Sequence, residues 1–376
     1  MKADRISRRK FMRDGAIAAA GLAVGVGAVG SQSAQAEQAS ESTDVGAVIR
    51  RTRSYNPNME YRRLGKTGLW VSAVCLGGHW KRIDKMVPGV FKKPKEWLSA
   101  DIESEGFRKN RRDVVSRCIE HGINCIDACT KEEVVAYAEA LRGRRDKVYF
   151  GFSWYQEEIR NEDFRTAKAL LETLDKGMRQ AKLDYVDLWR IVMYEQSGRH
   201  TVREVDEMMR ALEKSRQQGK VRFTGLSSHD RWHIKLMIET YPTVVQVVVM
   251  PYTAKSKALP KGSVFDAIKK HDVGMFGIKP FASNSLFKGL DLPGDPHAEE
   301  NDKLARMAIR YILCNPAVTA PIPGLINTRQ VDNMAKAVKE RRYLDLAESK
   351  KLAKAMDEAW TNLPAKYQWL KNWEYV

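Results

Sequence analysis

The 376-residue chain has no C-x-x-C pair and only five cysteines: Cys75, Cys118, Cys125, Cys129 and Cys314. Such scattered thiols cannot form a disulfide framework, and without C-x-x-C spacing a zinc ribbon or iron–sulfur centre is excluded. An odd count also suits a chain that folds in a reducing compartment. Long apolar runs are missing too. The charge-free stretch Gly15–Gly30 is short for a membrane span. No G-x-G-x-x-G turn follows an early strand, which argues against a doubly wound dinucleotide fold. Gly65-Lys66-Thr67 is not a P-loop, because Glu60 stands where the motif needs glycine. Clustered histidine and carboxylate ligands are absent from the pattern, so no metal is expected.

What is present begins with Ser7-Arg8-Arg9-Lys10-Phe11-Met12-Arg13, followed by the Gly15–Gly30 run and by Ala34-Gln35-Ala36. A basic segment, a short apolar stretch and an A-x-A site read as a signal peptide over 1–36, leaving Glu37 as the mature start. The pattern resembles twin-arginine signals of bacteria. That implies export of a folded protein, a periplasmic or extracytoplasmic location, and the translocase as a transient partner. No stable membrane span is expected after cleavage. Of the net charge of +17, the signal contributes only a small part, so the mature chain stays strongly basic. This favours an anionic envelope partner. Nucleic acid is not expected, since no binding motif is present.

Residues 37–58 are polar and without apolar periodicity, and read as a flexible leader. From there, short β-rich runs alternate with amphipathic helical patterns. Strands are expected at Val71–Leu76, Asn124–Asp127, Val148–Phe152, Tyr185–Val192, Val221–Leu226, Val244–Val249, Gly274–Ile278 and Val318–Ile322. Eight strand–helix units predict an α/β fold of the (β/α)8 TIM-barrel type over 59–365, with an aromatic tail at 366–376. Barrel chemistry sits where strands end, here Gly77–Trp80, Asp127–Glu133, Ser153–Tyr155, Val192–Tyr194, Ser227–His229, Met250–Tyr252, Lys279–Ser283 and Pro323–Arg329. The long loop 81–107 and the tail either fold over the barrel mouth or form surface or oligomer contacts.

Several segments resemble a known family. Tyr61-Arg62-Arg63-Leu64-Gly65-Lys66-Thr67-Gly68-Leu69, Cys75-Leu76-Gly77-Gly78, Gly122-Ile123-Asn124-Cys125-Ile126-Asp127, Gly219-Lys220-Val221-Arg222-Phe223-Thr224-Gly225-Leu226-Ser227-Ser228, Gln246 to Pro251-Tyr252 and Ile322-Pro323-Gly324 are similar, in order, to aldo-keto reductase motifs. The resemblance implies carbonyl reduction by hydride transfer from a nicotinamide cofactor, without metal. It also implies a tetrad of tyrosine acid, lysine, aspartate and histidine. Of these only the aspartate, Asp127, survives. Glu132 falls nearest the tyrosine position, Ser153 stands at the lysine position, and Val192 at the histidine position. Tyr137 and Tyr155 are close in sequence and could substitute only if the loops moved.

Candidate catalytic residues are therefore Asp127, Glu132, Cys129, Arg190 and His79. Strand alternation turns Arg190 into the barrel, where a buried guanidinium needs a carboxylate, so an Asp127–Arg190 ion pair is expected. Binding of a substrate carboxylate or phosphate is the alternative role for Arg190. On the cofactor side the resemblance implies Gly78, Trp80, Ser227, Ser228, Gln246, Lys279, Gly324, Arg329, Gln330 and Asn333. NADP and NAD remain alternatives. The expected function is an exported oxidoreductase acting on a small carbonyl substrate with a non-standard acid. The alternative is a non-catalytic nucleotide-binding or scaffold barrel.

Overall fold

The computed structural model describes residues 44–93, 96–256, 262–289 and 294–371. The proposed signal peptide and the last five tail residues lie outside the described residues. The chain divides into a unit ending at Thr52 and a larger unit from Arg53. In the first, Val45–Arg50 forms a short helix, α1.

The larger unit opens with an antiparallel hairpin of β1 (Tyr61–Arg63) and β2 (Trp70–Ser72). Eight strands follow in chain order: β3 (Leu76–Gly77), β4 (Cys125–Ala128), β5 (Tyr149–Phe152), β6 (Val186–Val192), β7 (Val221–Ser227), β8 (Val247–Pro251), β9 (Gly274–Ile278) and β10 (Ala320–Ile322). Each pairs in parallel with the next. The sheet closes because the Cys75 and Gly77 N–H groups donate to the carbonyls of Pro321 and Pro323, at 3.0 and 2.9 Å. The fold is the expected (β/α)8 barrel. Its outer helices are α2 (Glu105–Glu120), α3 (Lys131–Ala140), α4 (Ala167–Ala181), α5 (Val202–Gln217), α6 (Arg231–Thr240), α7 (Val264–Lys270), α8 (Ala298–Leu313), α9 (Thr328–Lys339) and α10 (Leu346–Thr361).

Parallel strands covered on both faces are apolar throughout, as in β8, whose five residues are all buried. Several helices start at side-chain caps, and Thr201 and Asp345 form capping boxes with Glu204 and Glu348. The β1–β2 hairpin brings Leu64, Leu69 and Val71 onto the barrel interior, in one cluster with Cys75, Cys125, Val247 and Phe276.

Two expectations shift. The run Val71–Leu76 is not one strand. It ends the hairpin, and after a break at Ala73, whose N–H donates to the Glu60 carbonyl, it starts the barrel. Nor is 37–58 a flexible leader throughout. Arg53 pairs with Asp187 at 2.9 Å, and Asn56 Nδ2 donates to the Glu120 carbonyl. Polarity there reflects anchoring by hydrogen bonds rather than solvation. Asp187 is buried and takes three guanidinium partners, Arg53, Arg145 and Arg222, together with the Phe150 N–H. Burial opposes its charge, but the three arginines hold its carboxyl far below the usual range. No helix among the described residues is long and apolar enough to cross a membrane.

Candidate active site

At the carboxyl ends of the strands lies a cavity of about 420 Å³ whose wall includes Asp127, Cys129, Arg190, Ser227, Lys279 and Gly324. Its volume falls in the range of small-molecule sites. Three aromatic residues from outside the barrel also line it: Trp97 from the long loop, and Tyr367 and Trp369 from the tail. Trp369 stacks on His229 with ring centroids 4.2 Å apart, and Trp97 packs on His79 at 4.6 Å. Both appended segments thus reach the barrel mouth.

Arg190 is turned inward as strand alternation requires. Its Nε and Nη2 donate to Asp127 Oδ1 and Oδ2 at 2.8 and 2.5 Å, so the expected ion pair forms. Burial disfavours the cation, but Asp127 holds the Arg190 proton more tightly than usual.

Beside this pair, the first turn of α3 supplies Glu133, fully buried. Its Oε1 accepts from the His79 N–H at 2.6 Å and its Oε2 from the Cys129 N–H at 2.7 Å. His79 Nδ1 lies 2.9 Å from Oε1, and Cys129 Sγ lies 3.7 Å from Nδ1. A Cβ on Gly78 would stand 2.0 Å from Glu133 Cδ, so only glycine admits this carboxylate. His79 adopts a left-handed backbone (φ 55°), rare outside glycine and a sign of a site held against strain. Burial opposes the Glu133 charge, yet His79 and the two N–H groups hold its carboxyl below the usual range. Burial, followed by the charge of Glu133, pushes the Cys129 thiol up despite Arg190 nearby.

The sequence pattern of the aldo/keto reductase family matches residues 105–355. The chain belongs to the aldo/keto reductase family. It is 22% identical to L-galactose dehydrogenase of Arabidopsis thaliana over 77% of its own length and 91% of that protein. It is 25% identical to an uncharacterized oxidoreductase of Bacillus subtilis, over 74% and 91%. Among solved structures, an aldo-keto reductase from Bacillus halodurans in its holo form superposes with a TM-score of 0.57 at 21% identity, covering 79% of this chain and 96% of that one. One from Klebsiella pneumoniae, in complex with NADPH, gives 0.58 at 18% identity, over 79% and 94%.

Within this aldo/keto reductase fold, one buried carboxyl group bridges Ser153 and Val192. Glu158 Oε2 accepts from Ser153 Oγ at 2.6 Å and from the Val192 N–H at 2.9 Å; its Oε1 accepts from the Trp154 N–H and Trp189 Nε1. Ser153 and Val192 stand where the resemblance implies the lysine and the histidine, and Glu158 ties them into a packed network. Burial raises the Glu158 pKa, with the four donors opposing. Glu132 is not the acid at the mouth. It accepts from Gln156 Nε2 outside the cavity, while its neighbour Glu133 turns inward, because one helical step of about 100° separates the two. Tyr137 is buried and donates to the Gly77 carbonyl. Tyr155 lines the cavity, with its phenol pushed up by burial. A lysine–tyrosine pair does occur at the mouth, on different elements: Lys81 Nζ donates to Tyr367 OH.

Of the expected cofactor residues, Gly78, Ser227, Lys279 and Gly324 line the cavity. A Cβ on Gly324 would meet the Gly78 carbonyl at 2.6 Å, so the first and last strand ends approach through two glycines. Trp80 does not line it. Its ring is buried among Phe107, Tyr137 and Trp97. Ser228 turns the other way, its hydroxyl within hydrogen-bond distance of the Tyr194 and Glu195 carbonyls and of Ser197 Oγ. Gln246 precedes β8 and accepts from the Thr224 N–H, short of the cavity. Gln330 and Asn333 line a narrow adjoining cleft of about 40 Å³, near Asn284 and Gly324. Gln330 accepts from the Ile326 N–H, and Arg329 pairs with Asp302 at 2.6 Å.

Lys279 has no carboxylate within salt-bridge distance among the described residues. Burial and the neighbouring Lys81 bring its pKa down to about 8. Glu158, Arg160 and Glu195 lie outside the strand-end segments named from the sequence, while Glu133 and His229 lie within them without having been singled out. Only Glu133 carried a signal, the capping arrangement Thr130-x-x-Glu133, in which Thr130 Oγ1 accepts from the Glu133 N–H.

Proposed function

We propose that this chain is an oxidoreductase transferring hydride between a nicotinamide cofactor and a small carbonyl compound at the barrel mouth. The observation that carries the reading is the cavity joining Ser227, Lys279 and Gly324 to His79, Cys129 and Arg190. These residues fit a dinucleotide. The Ser227 side chain faces the cavity where the family resemblance implies the carboxamide, and Lys279 is a cation without a paired carboxylate among the described residues. The paired glycines 78 and 324 leave room for a ligand against backbone. When bound, the cofactor supplies hydride to the carbonyl carbon.

The chain's own residues hold the reactants. Lys279 and Lys81 offer positive charge to phosphate groups. Trp97, Tyr155 and Trp369 exclude water. The carbonyl oxygen meets the His79–Cys129 edge, where negative charge must be stabilised, and the Lys81–Tyr367 pair is an available proton source. The twin-arginine pattern supports export of the folded protein with its cofactor already loaded. NADPH in the Klebsiella relative favours NADP, although Arg329 is committed to Asp302.

A second reading, a non-catalytic barrel, is favoured by the Glu158 network in place of the lysine and histidine. Mass spectrometry of nucleotide released by denaturing the natively purified protein, joined to an assay for carbonyl-dependent oxidation of the bound NAD(P)H, separates the two. Stoichiometric NAD(H) or NADP(H) is expected, and an empty protein that also ignores added nucleotide overturns the oxidoreductase reading.

A further inference from the structure

His79, Cys129 and Glu133 come from the loop after β3, the loop after β4 and the first turn of α3. Their donor atoms all lie within 4.8 Å of one another. A proton relay from thiol through imidazole to carboxylate would place its two partners on opposite ring nitrogens. Here they are not so placed: Glu133 Oε1 is 2.9 Å from Nδ1, and Cys129 Sγ lies beside the ring, 3.7 Å from Nδ1 and 4.0 Å from Nε2. Nitrogen, sulfur and oxygen therefore gather at one corner of the cavity without forming a relay.

We propose that His79 Nδ1, Cys129 Sγ and a Glu133 carboxylate oxygen form a binding site for a divalent cation of the zinc class, open toward the cavity. Tetrahedral zinc with bonds of about 2.0–2.3 Å sets its donor-to-donor edges at roughly 3.3–3.6 Å. The nitrogen–oxygen edge opens slightly to reach this and the thiolate swings in. The outer shell is already built. The His79 and Cys129 N–H groups orient the carboxylate, and Asp127 neutralises the nearby Arg190. Three protein ligands with the fourth side facing a cavity is the arrangement of a catalytic rather than a structural site. Cys129 and His79 line that cavity, while Glu133 closes the protein side.

Its role in turnover rests on the oxidoreductase reading. Hydride and its electron pair reach the carbonyl carbon, the C–O π pair moves to oxygen, and water or Tyr367 supplies the proton. The cation stabilises the charge on that oxygen, a task for which the family position now lacks a tyrosine.

Full-length protein stripped with chelator and titrated with Co²⁺ tests the site. One equivalent binds, with a thiolate-to-cobalt band in the near ultraviolet. Cys129→Ser abolishes the band and weakens binding at least about tenfold. His79→Gln weakens it similarly, whereas Cys314→Ser leaves it unchanged. Circular dichroism confirms that each variant folds. Absence of the band at one equivalent, or its survival in Cys129→Ser, overturns the site. Nucleotide binding is measured separately on the stripped protein. Loss of nucleotide binding with the band intact overturns the oxidoreductase reading alone.

Discussion

Replacing Arg190 by Met leaves Asp127 as a buried carboxylate whose principal cation is gone. The two side chains are only 3% and 8% exposed, so solvent cannot take over the lost partner. Breaking a buried pair on one side costs about 3–5 kcal/mol, whereas exchanging both partners for apolar residues is nearly neutral or stabilising. Arg190→Met and Asp127→Asn should each lose about that much. For a chain of this size, that corresponds to a fall of roughly 4–7 °C in the thermal midpoint. The double variant Asp127→Leu/Arg190→Met should recover most of the loss. Differential scanning calorimetry at constant pH measures all four proteins. Single variants within about 1 °C of wild type would refute the reasoning, because the pair would then not be an isolated buried charge pair. Nucleotide binding in the double variant then separates the two roles of Arg190. A stable double variant that binds nucleotide and turns over a neutral carbonyl substrate but no longer an anionic one gives Arg190 a part in substrate recognition.

Asp187→Asn removes the charge at which Arg53, Arg145 and Arg222 converge, and a loss of about 3–5 kcal/mol is expected in denaturant melts. Because the folded pKa of Asp187 is depressed, its contribution is complete above the unfolded carboxyl pKa and is lost as pH falls below it. His200 is buried against Tyr194, and burial lowers its pKa to about 4. The unfolded chain takes up that proton first, so stability falls by about 3 kcal/mol between roughly pH 6.5 and pH 4. Melts of His200→Gln over the same window should lack this component. Lys279 carries charge below about pH 8. Nucleotide affinity should therefore decline above that pH in wild type and stay level in Lys279→Arg, as read by isothermal titration.

The barrel was legible because parallel strands covered on both faces are near-continuous apolar runs, and eight of them alternate with helical periodicity. Boundaries failed where one run served two structures, as at Val71–Leu76. The Asp127–Arg190 pair was legible because strand alternation fixes where an odd side chain points, and a buried cation needs a partner. The Glu133 and Glu158 networks were not. Glu133 and Glu132 are adjacent in sequence and differ only in the helical face they take. Glu158 acts through a loop, where no period constrains direction. Ser228 and Gln246 show the opposite error: motif positions matched, yet their polar atoms satisfy the protein's own backbone. Loop and tail aromatics at the mouth could be recognised only as a choice between covering and contact.

Titration of the full-length protein, first freed of any bound nucleotide, with NADPH and with NADH, read as energy transfer from its tryptophans to the dihydronicotinamide, tests the central claim most directly. Trp97 and Trp369 line the cavity and sit close to any nicotinamide bound there. Saturable one-to-one transfer, weakened at least about tenfold by Lys279→Met through loss of a phosphate-binding cation, is the expected result. No saturable transfer with either nucleotide would contradict the account.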